Sequence, residues 1–432
     1  MSLSLNLLLV NAAYPPFIGG AEVYTRTLAE RFARDQQSVT LVTTNAGEVE
    51  YFWNPRKKHV SPGQEIMNHV AVTRCRVSHL PLAPLSFYAF RRIATLIARF
   101  PLGTRPVLRR IATRMPGVPD LSRTLEQLPA PIDVVHGVNI ALEWPPIAAW
   151  RYARRRGLPF VMTPFVHVGE EGRSDVLINY VMPHQLEVLQ DADAVIVQTD
   201  IERRALIQLG VREDRLQRHG MGVDLETLVS GDADRFRARH KLTDPIVTFL
   251  GVVTYDKGSF HLVQALEKLW VQNQRVHLVI AGQPVDEFNT FYNRLSPATQ
   301  QRVLRLGPVS GQDKQDLLAA TDVFALPSRI DSFGMVYLEA WAYRKPVIGA
   351  RAGGVPDVIA EDRDGLLVHF GNVDELTAAI ARLLADPALA AEFGRTGRAK
   401  VEQQYTWDRI TQLTYNVYTD LLDRRTAYAS RS

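Results

Sequence analysis

The chain has 432 residues and a single cysteine, Cys75. An internal disulfide is therefore excluded, disulfide-stapled secreted scaffolds drop out, and Cys75 reads as a packing residue in a reducing compartment. Long hydrophobic runs are missing too: nothing approaches the roughly 18 uninterrupted apolar residues of a spanning helix. The apolar run from Leu5 to Val10 has no positive flank before it and no small-residue cleavage site after it, so a secretory leader is not expected. His, Cys and Asp do not cluster at metal-ligand spacings, and no metal is expected. The chain lacks both a G-x-x-x-x-G-K run and a G-x-G-x-x-G run, which argues against a Walker loop and a dinucleotide fingerprint. Extremes of composition are absent as well: 46% hydrophobic, 22% charged and 9% aromatic residues describe a folded globular chain.

What is present begins with size, since 432 residues exceed one ordinary core and predict two domains. The formal net charge is only +4, but it is uneven. Between Arg74 and Arg123 ten arginines face one acid, Asp120. The same stretch carries Leu85, Phe87, Tyr88, Phe90, Ile93, Leu96, Ile97 and Phe100, placed roughly on one helical face. A basic amphipathic helix of this kind lies on an anionic lipid surface; the competing reading is a solvated helix covering a core. Nucleic acid is not expected, because no helix-turn-helix, zinc or RNA-sheet signature accompanies the arginines.

Short β-rich runs alternate with helical patterns, the mark of parallel α/β units. The first set of strands is expected at Leu5–Val10, Val39–Thr43, Val70–Arg74, Val134–His136, Phe160–Thr163 and Ala194–Gln198. After the polar stretch 230–243 a second set follows at Ile246–Leu250, Val276–Ala281, Val303–Leu306, Val323–Leu326, Val347–Ala350 and Leu366–Val368. The expected domains are 1–238 and 239–406, with an amphipathic helix over 407–432 that packs on either one. Two open sheets in one chain imply a ligand cleft beyond their strand ends.

Four segments carry candidate chemistry. Pro327 to Ala340 leaves a strand and enters a helix near Gly334, where free amides and the positive dipole end suit a phosphate at Gly334, Met335 and Val336. Asp331 and Glu339 lie eight residues apart, roughly 12 Å or more along a helix, too far to flank one bond as a hydrolytic pair. That span suits an extended ligand with phosphates at its middle; an N-capping Asp and a solvent-facing Glu are the plain alternative. Phe249 to Gly258 places Lys257 after a strand as a point charge for a diphosphate, against the alternative of a solvated lysine. Gly19 and Gly20 precede a helix ending near Ala33 and read as a phosphate loop or an ordinary turn. His167 follows the strand Phe160–Thr163 and would hold a sugar hydroxyl or move a proton, or do neither; His136 has the same ambiguity.

In this order and spacing the segments resemble the retaining glycosyltransferases of family four, over nearly the whole chain. The matches run through Gly19-Gly20-Ala21-Glu22, Thr163 to His167, Ala192 to Ile196, Gly222-Val223-Asp224, Gly251 to Gly258 and Ala320 to Ser328. They continue through the E-x7-E-like stretch Asp331 to Glu339, Lys345 to Ile348, Ala352-Gly353-Gly354 and Asp364 to Val368. The resemblance implies the two-domain glycosyltransferase-B fold, an α/β architecture with two Rossmann-like domains whose parallel sheets face each other across a cleft. It implies that Glu339 binds the donor ribose, that Asp331 and His167 contact the transferred sugar, and that Lys257 with the amides near Phe333 to Val336 holds the diphosphate. The Gly19-Gly20 loop would close over the donor, and the base would be read by backbone at Val309. Two departures stand out: Val252 occupies the usual arginine position, and Asp331 replaces the usual first glutamate.

The activity expected is metal-independent, retaining transfer of a hexose from a nucleotide diphosphate sugar, with no further cofactor, to a carbohydrate or lipid-linked acceptor. The expected location is the cytoplasm, reaching an inner membrane face through Arg74 to Arg123. A non-catalytic nucleotide-sugar-binding protein, or a phosphorylase or epimerase on the same fold, is the alternative.

Overall fold

The computed structural model describes residues 4–17, 19–100, 103–128, 131–169, 176–228 and 230–429. Fourteen strands occur among them: β1 Asn6–Asn11, β2 Ser38–Thr44, β3 Gly63–Met67, β4 Val70–Cys75, β5 Val134–Val138, β6 Phe160–Thr163, β7 Ala194–Val197, β8 Leu216–Arg218, β9 Ile246–Leu250, β10 His277–Ala281, β11 Val303–Gly307, β12 Val323–Leu326, β13 Val347–Ala350 and β14 Gly365–Val368. The chain divides into two compact units. Unit 1 holds residues up to Val166, Ser174–Gly220 and Ile410 onward; unit 2 holds Met221–Arg409 and a short segment starting at His167.

Unit 1 is built on an eight-stranded sheet in the order β3-β4-β2-β1-β5-β6-β7-β8. Its pairs are parallel except β3 with β4. Strand β5 is buried along its whole length, as expected where helices cover both faces of a parallel sheet. Two strands lie outside the sequence expectation. β3 is mostly exposed and reads Gly-Gln-Glu-Ile-Met, an edge strand without apolar alternation, and β8 has only three residues.

Unit 2 is a six-stranded parallel sheet in the order β11-β10-β9-β12-β13-β14. Its central strand β9, Ile-Val-Thr-Phe-Leu, is fully buried. The order reverses between β9 and β12, which places the loops after these two strands at the switch point where open α/β sheets bind ligands.

The division falls between Gly220 and Met221, earlier than the boundary expected at 238/239. The helix Ala233–His240 belongs to unit 2 because Arg235 is bidentate to Asp316 at 2.6 and 2.5 Å and Arg237 pairs with Asp322 at 2.7 Å. The C-terminal helix Trp407–Ala429 starts in unit 2 and groups with unit 1 from Ile410. Within unit 1, the Tyr418 hydroxyl meets His136 Nδ1 at 2.6 Å, and His136 Nε2 lies 2.8 Å from the Thr163 hydroxyl. His136 is thereby a core residue that fastens this helix to the sheet.

Candidate functional site

Two loops at the carboxyl edge of unit 2 build the site. The first leaves β12 at Pro327 and ends at Gly334, which caps the helix Met335–Ala342 with φ 87°. A Cβ there would meet the Tyr337 ring at 2.4 Å, and Tyr337 in turn donates to the Leu326 carbonyl at 2.5 Å. The packing of its own helix therefore already requires glycine at 334. The second loop leaves β9 and ends at Gly258, φ 79°, where a Cβ would sit 2.3 Å from the Pro327 carbonyl. Again glycine makes room for backbone, and the consequence is that the two loops touch. The Arg329 amide donates to the Asp256 carbonyl at 3.0 Å, while the Arg329 guanidinium donates to Asp256 Oδ1 at 2.9 and 2.6 Å.

This contact brings Lys257 to Asp331. Its Nζ donates to Asp331 Oδ1 at 2.7 Å, with side chains 21% and 15% exposed. Asp331 Oδ2 is buried and accepts no hydrogen bond. Burial pushes the Asp331 carboxyl up, but the Lys257 ammonium overrides it and holds the group below its usual range. His167 joins the pair: its ring bonds the Ile330 backbone, and burial, reinforced by Lys257 and opposed by Asp331, pushes the imidazole down to about 4. At neutral pH the Asp331 carboxylate therefore faces an uncharged imidazole. The Gly169 carbonyl accepts from the Gly353 amide, and the Asp331 carbonyl accepts from the Gly354 amide, each at 2.8 Å. Ala352-Gly353-Gly354 thus clasps the His167 segment and the Asp331 loop together.

Glu339, in the helix Met335–Ala342, repeats the arrangement one step away. Lys314 from the helix Gly311–Ala320 donates to Glu339 Oε1 at 2.5 Å, and Oε2 is buried with no hydrogen-bond partner. Between these carboxylates lies the first turn of the helix, whose amides at Met335 and Val336 have no intrahelical acceptor. Phe333, just before it, is buried against the edge of Tyr405. Val309 lies half-buried in the loop between β11 and the Lys314 helix, and Val252 is 51% exposed after Gly251. A recess of about 510 Å³ opens at the carboxyl ends of β10 and β11, lined by Gly282, Pro284, Phe288, Tyr292, Arg305 and Gly307.

His167, Lys257, Asp331, Phe333, Gly334, Met335, Val336, Glu339, Val252 and Val309 all belong to unit 2. Gly19 and Gly20 belong to unit 1. Gly19 is an extended N-cap where a Cβ would meet Glu22 Oε2 at 2.3 Å, whereas Gly20 has open space beside it. Burial pushes the Glu22 carboxyl up to about 7. Lys314 was not legible beforehand: it precedes Glu339 by 25 residues on a separate helix, a separation that carries no local pattern. Among the described residues no group of three or more His, Cys, Asp or Glu is arranged to hold a metal ion. A cavity of about 1050 Å³ in unit 1 is lined by Asp133, Pro159 and Asp193, which precede β5, β6 and β7, so it lies at the edge opposite to the usual ligand side.

The arginine-rich stretch is less uniform than its sequence. Arg74 is buried, donates to Glu65 and to the Pro15 carbonyl at 2.5 Å, and belongs to the core. Arg91 pairs with buried Glu143, and Arg109 is bidentate to Glu187. The helix Leu85–Ala98 has two apolar sides instead of the single face expected: Phe87, Phe90 and Ile97 pack inward beside Ala94, whereas Leu85, Tyr88, Ile93 and Leu96 are exposed. No helix among the described residues is long and apolar enough to cross a membrane.

Two Rossmann-like units in one chain are the architecture of the GT-B glycosyltransferase fold. Residues 231–400 match the model of glycosyl transferases group 1, and residues 19–222 match the glycosyl transferase 4-like domain. The chain belongs to glycosyltransferase family four. It is 26% identical over 425 residues to a D-inositol 3-phosphate glycosyltransferase of Saccharomonospora viridis, covering 94% of this chain and 90% of the relative. The fold matches sucrose-phosphate synthase from Thermosynechococcus elongatus with a TM-score of 0.70 at 21% identity, over 97% of this chain and 100% of that one. It also matches Anabaena HepE in complex with UDP-glucose, with a TM-score of 0.68 at 18% identity, over 96% of this chain and 100% of that one.

Proposed function

We propose that this glycosyltransferase moves a hexose from a nucleotide diphosphate sugar to an acceptor hydroxyl with retention at the anomeric carbon and without a metal ion or other cofactor. The observation that carries the reading is the pair of lysine-held carboxylates, Asp331 and Glu339, each with a buried oxygen left unpartnered. Buried acceptors without donors are costly, and donor hydroxyls at both ends of one ligand would relieve both. Glu339 takes the ribose, Asp331 and neutral His167 take the sugar, and Lys257 with the amides of Phe333 to Val336 takes the diphosphate. The base fits the recess beyond β10 and β11, with Val309 as its backbone reader. Val252 supplies no guanidinium, so the diphosphate charge rests on Lys257 and the helix terminus.

In the reaction the bond from the anomeric carbon to the phosphate oxygen breaks, and its electron pair leaves with the nucleoside diphosphate. The acceptor oxygen bonds to the same face, and its proton passes to the departing phosphate. The protein's part is positioning and support of developing charge. His167 fits that part as a hydrogen-bonding group, because an imidazole pushed down to about 4 carries no charge at neutral pH. HepE, crystallised with UDP-glucose, supports the donor class. The exposed apolar side of Leu85–Ala98, with arginines around it, supports a lipid-linked acceptor at an anionic inner membrane surface. The other acceptor class is a carbohydrate.

A thermal-shift panel of nucleoside diphosphates and their glucose and mannose esters tests the reading. A true donor at 100 times its Kd stabilises by about 2.7 kcal/mol, and NMR of the product then reports the same anomer as the donor. Binding without transfer would leave a nucleotide-sugar-binding protein. Consumption of phosphate, or conversion of the donor by itself, would mark a phosphorylase or an epimerase.

A further inference from the structure

We infer that Lys314 is a positioning residue that makes the site selective for ribose over 2′-deoxyribose. The inference rests on the reading of Glu339 as the ribose ligand and adds a second helix to it. Glu339 alone, on a helix surface, would be free to rotate among its side-chain rotamers and would bring uncompensated negative charge to a site meant for phosphates. Lys314 removes both problems. Its Nζ holds Oε1 at 2.5 Å, and with side chains 27% and 15% exposed the pair is well removed from solvent. What remains is Oε2, buried and without a hydrogen-bond partner, in one orientation. A carboxylate oxygen only accepts, so its complement is a hydroxyl donor, and a vicinal diol offers two donors to one carboxylate.

The neighbourhood argues against an incidental surface ion pair. One residue along the same helix, Gln315 accepts from the Tyr343 hydroxyl at 3.2 Å, so the Gly311–Ala320 helix is tied to the segment following Glu339 at a second point. Lys314 also lies five residues after Val309, so the segment assigned to base reading leads directly into the one that fixes Glu339. A shift of this helix would alter base and ribose recognition together.

Isothermal titration with UDP, GDP, ADP and their 2′-deoxy counterparts tests the inference on the wild type, Lys314→Met and Lys314→Arg. The wild type should prefer at least one ribonucleotide over its deoxy partner by about tenfold or more, the scale of a hydrogen bond to a charged acceptor. In Lys314→Met that ratio should fall to about threefold or less, with donor KM raised and kcat changed by less than about threefold; Lys314→Arg should restore most of the ratio. A wild-type ratio retained in Lys314→Met, with an unchanged melting temperature showing that the variant is folded, would overturn the role of Lys314 while leaving the donor class intact. Absence of nucleotide binding to the wild type would remove both.

Discussion

Lys257 and Asp331 come from loops that meet because Gly258 leaves room for the Pro327 carbonyl. The pair is mostly buried, and removing one member of such a pair costs more than the pair itself contributes, because a lone charge is left behind. In Lys257→Ala the Asp331 carboxyl loses the ammonium that holds it low, and burial then pushes its pKa upward. Diphosphate would also lose a cation that Val252 cannot replace, since the Arg329 guanidinium nearby is committed to Asp256. Transfer in Lys257→Ala should fall by about 10²-fold or more, the scale of removing one preorganised donor. Steady-state kinetics at saturating donor checks this, and unchanged transfer would strip Lys257 of its phosphate role. A Lys257→Arg chain keeps the charge and should recover part of the rate.

At the scale of elements, buried parallel strands were legible in the sequence because each is a short run of apolar β-formers ended by a turn. β9, β12 and β13 fall where the pattern puts them. β3 was not, since an exposed edge strand has no apolar signal and exists through its pairing with β4. The site divides the same way. Asp331, Lys257 and the Gly334 helix start follow from local order along the chain, whereas the Lys314 to Glu339 and His167 to Ile330 contacts depend on which loops the fold brings together. The helix Leu85–Ala98 shows the limit most clearly: its hydrophobic residues were visible, but their division into inward Phe87, Phe90 and Ile97 and outward Leu85, Tyr88 and Leu96 depends on the unit behind it. Because Leu85 and Leu96 are exposed at 76% and 51%, replacing both by glutamate should leave the melting temperature within about 2 °C, since exposed substitutions usually stay within ±0.5 kcal/mol. On the proposal of a lipid-linked acceptor, the wild type floats with liposomes containing anionic lipid and the same change abolishes that flotation. Flotation of the double variant equal to wild type would exclude this face as the lipid contact.

Across the whole molecule, stability against pH is set by buried groups of opposite sign. Burial pushes His136 down to about 3 and His219 and His167 down to about 4. Below the ordinary histidine value of about 6.5 the unfolded chain binds protons that the folded chain refuses, so these three groups lower stability as pH falls from about 6.5 toward 3. Burial also pushes the Glu22 and Glu202 carboxyls up to about 7. Here the folded chain keeps protons that the unfolded chain releases above about 4.5, so their contribution is complete below that pH and is lost as pH rises through about 7. Between about 4.5 and 6.5 these three histidines therefore oppose these two glutamates and outnumber them, so their combined contribution falls as pH falls. Below about 4.5 the glutamates are protonated in both states and drop out, and through about 4 His219 and His167 take up protons in the fold and fade as well, leaving His136, joined by Asp331, whose carboxyl is held low by Lys257. Urea midpoints should thus fall gently just below pH 6.5 and most steeply around pH 4 to 4.5. In His136→Gln the steep arm should lose about one proton's worth of slope, whatever the variant's absolute stability. A wild-type profile no steeper near pH 4.5 than near pH 6 would mean that these imidazoles titrate as they do in water and that the neutral state assigned to His167 lacks its physical basis, and a His136→Gln profile parallel to the wild type would mean the same of His136 alone.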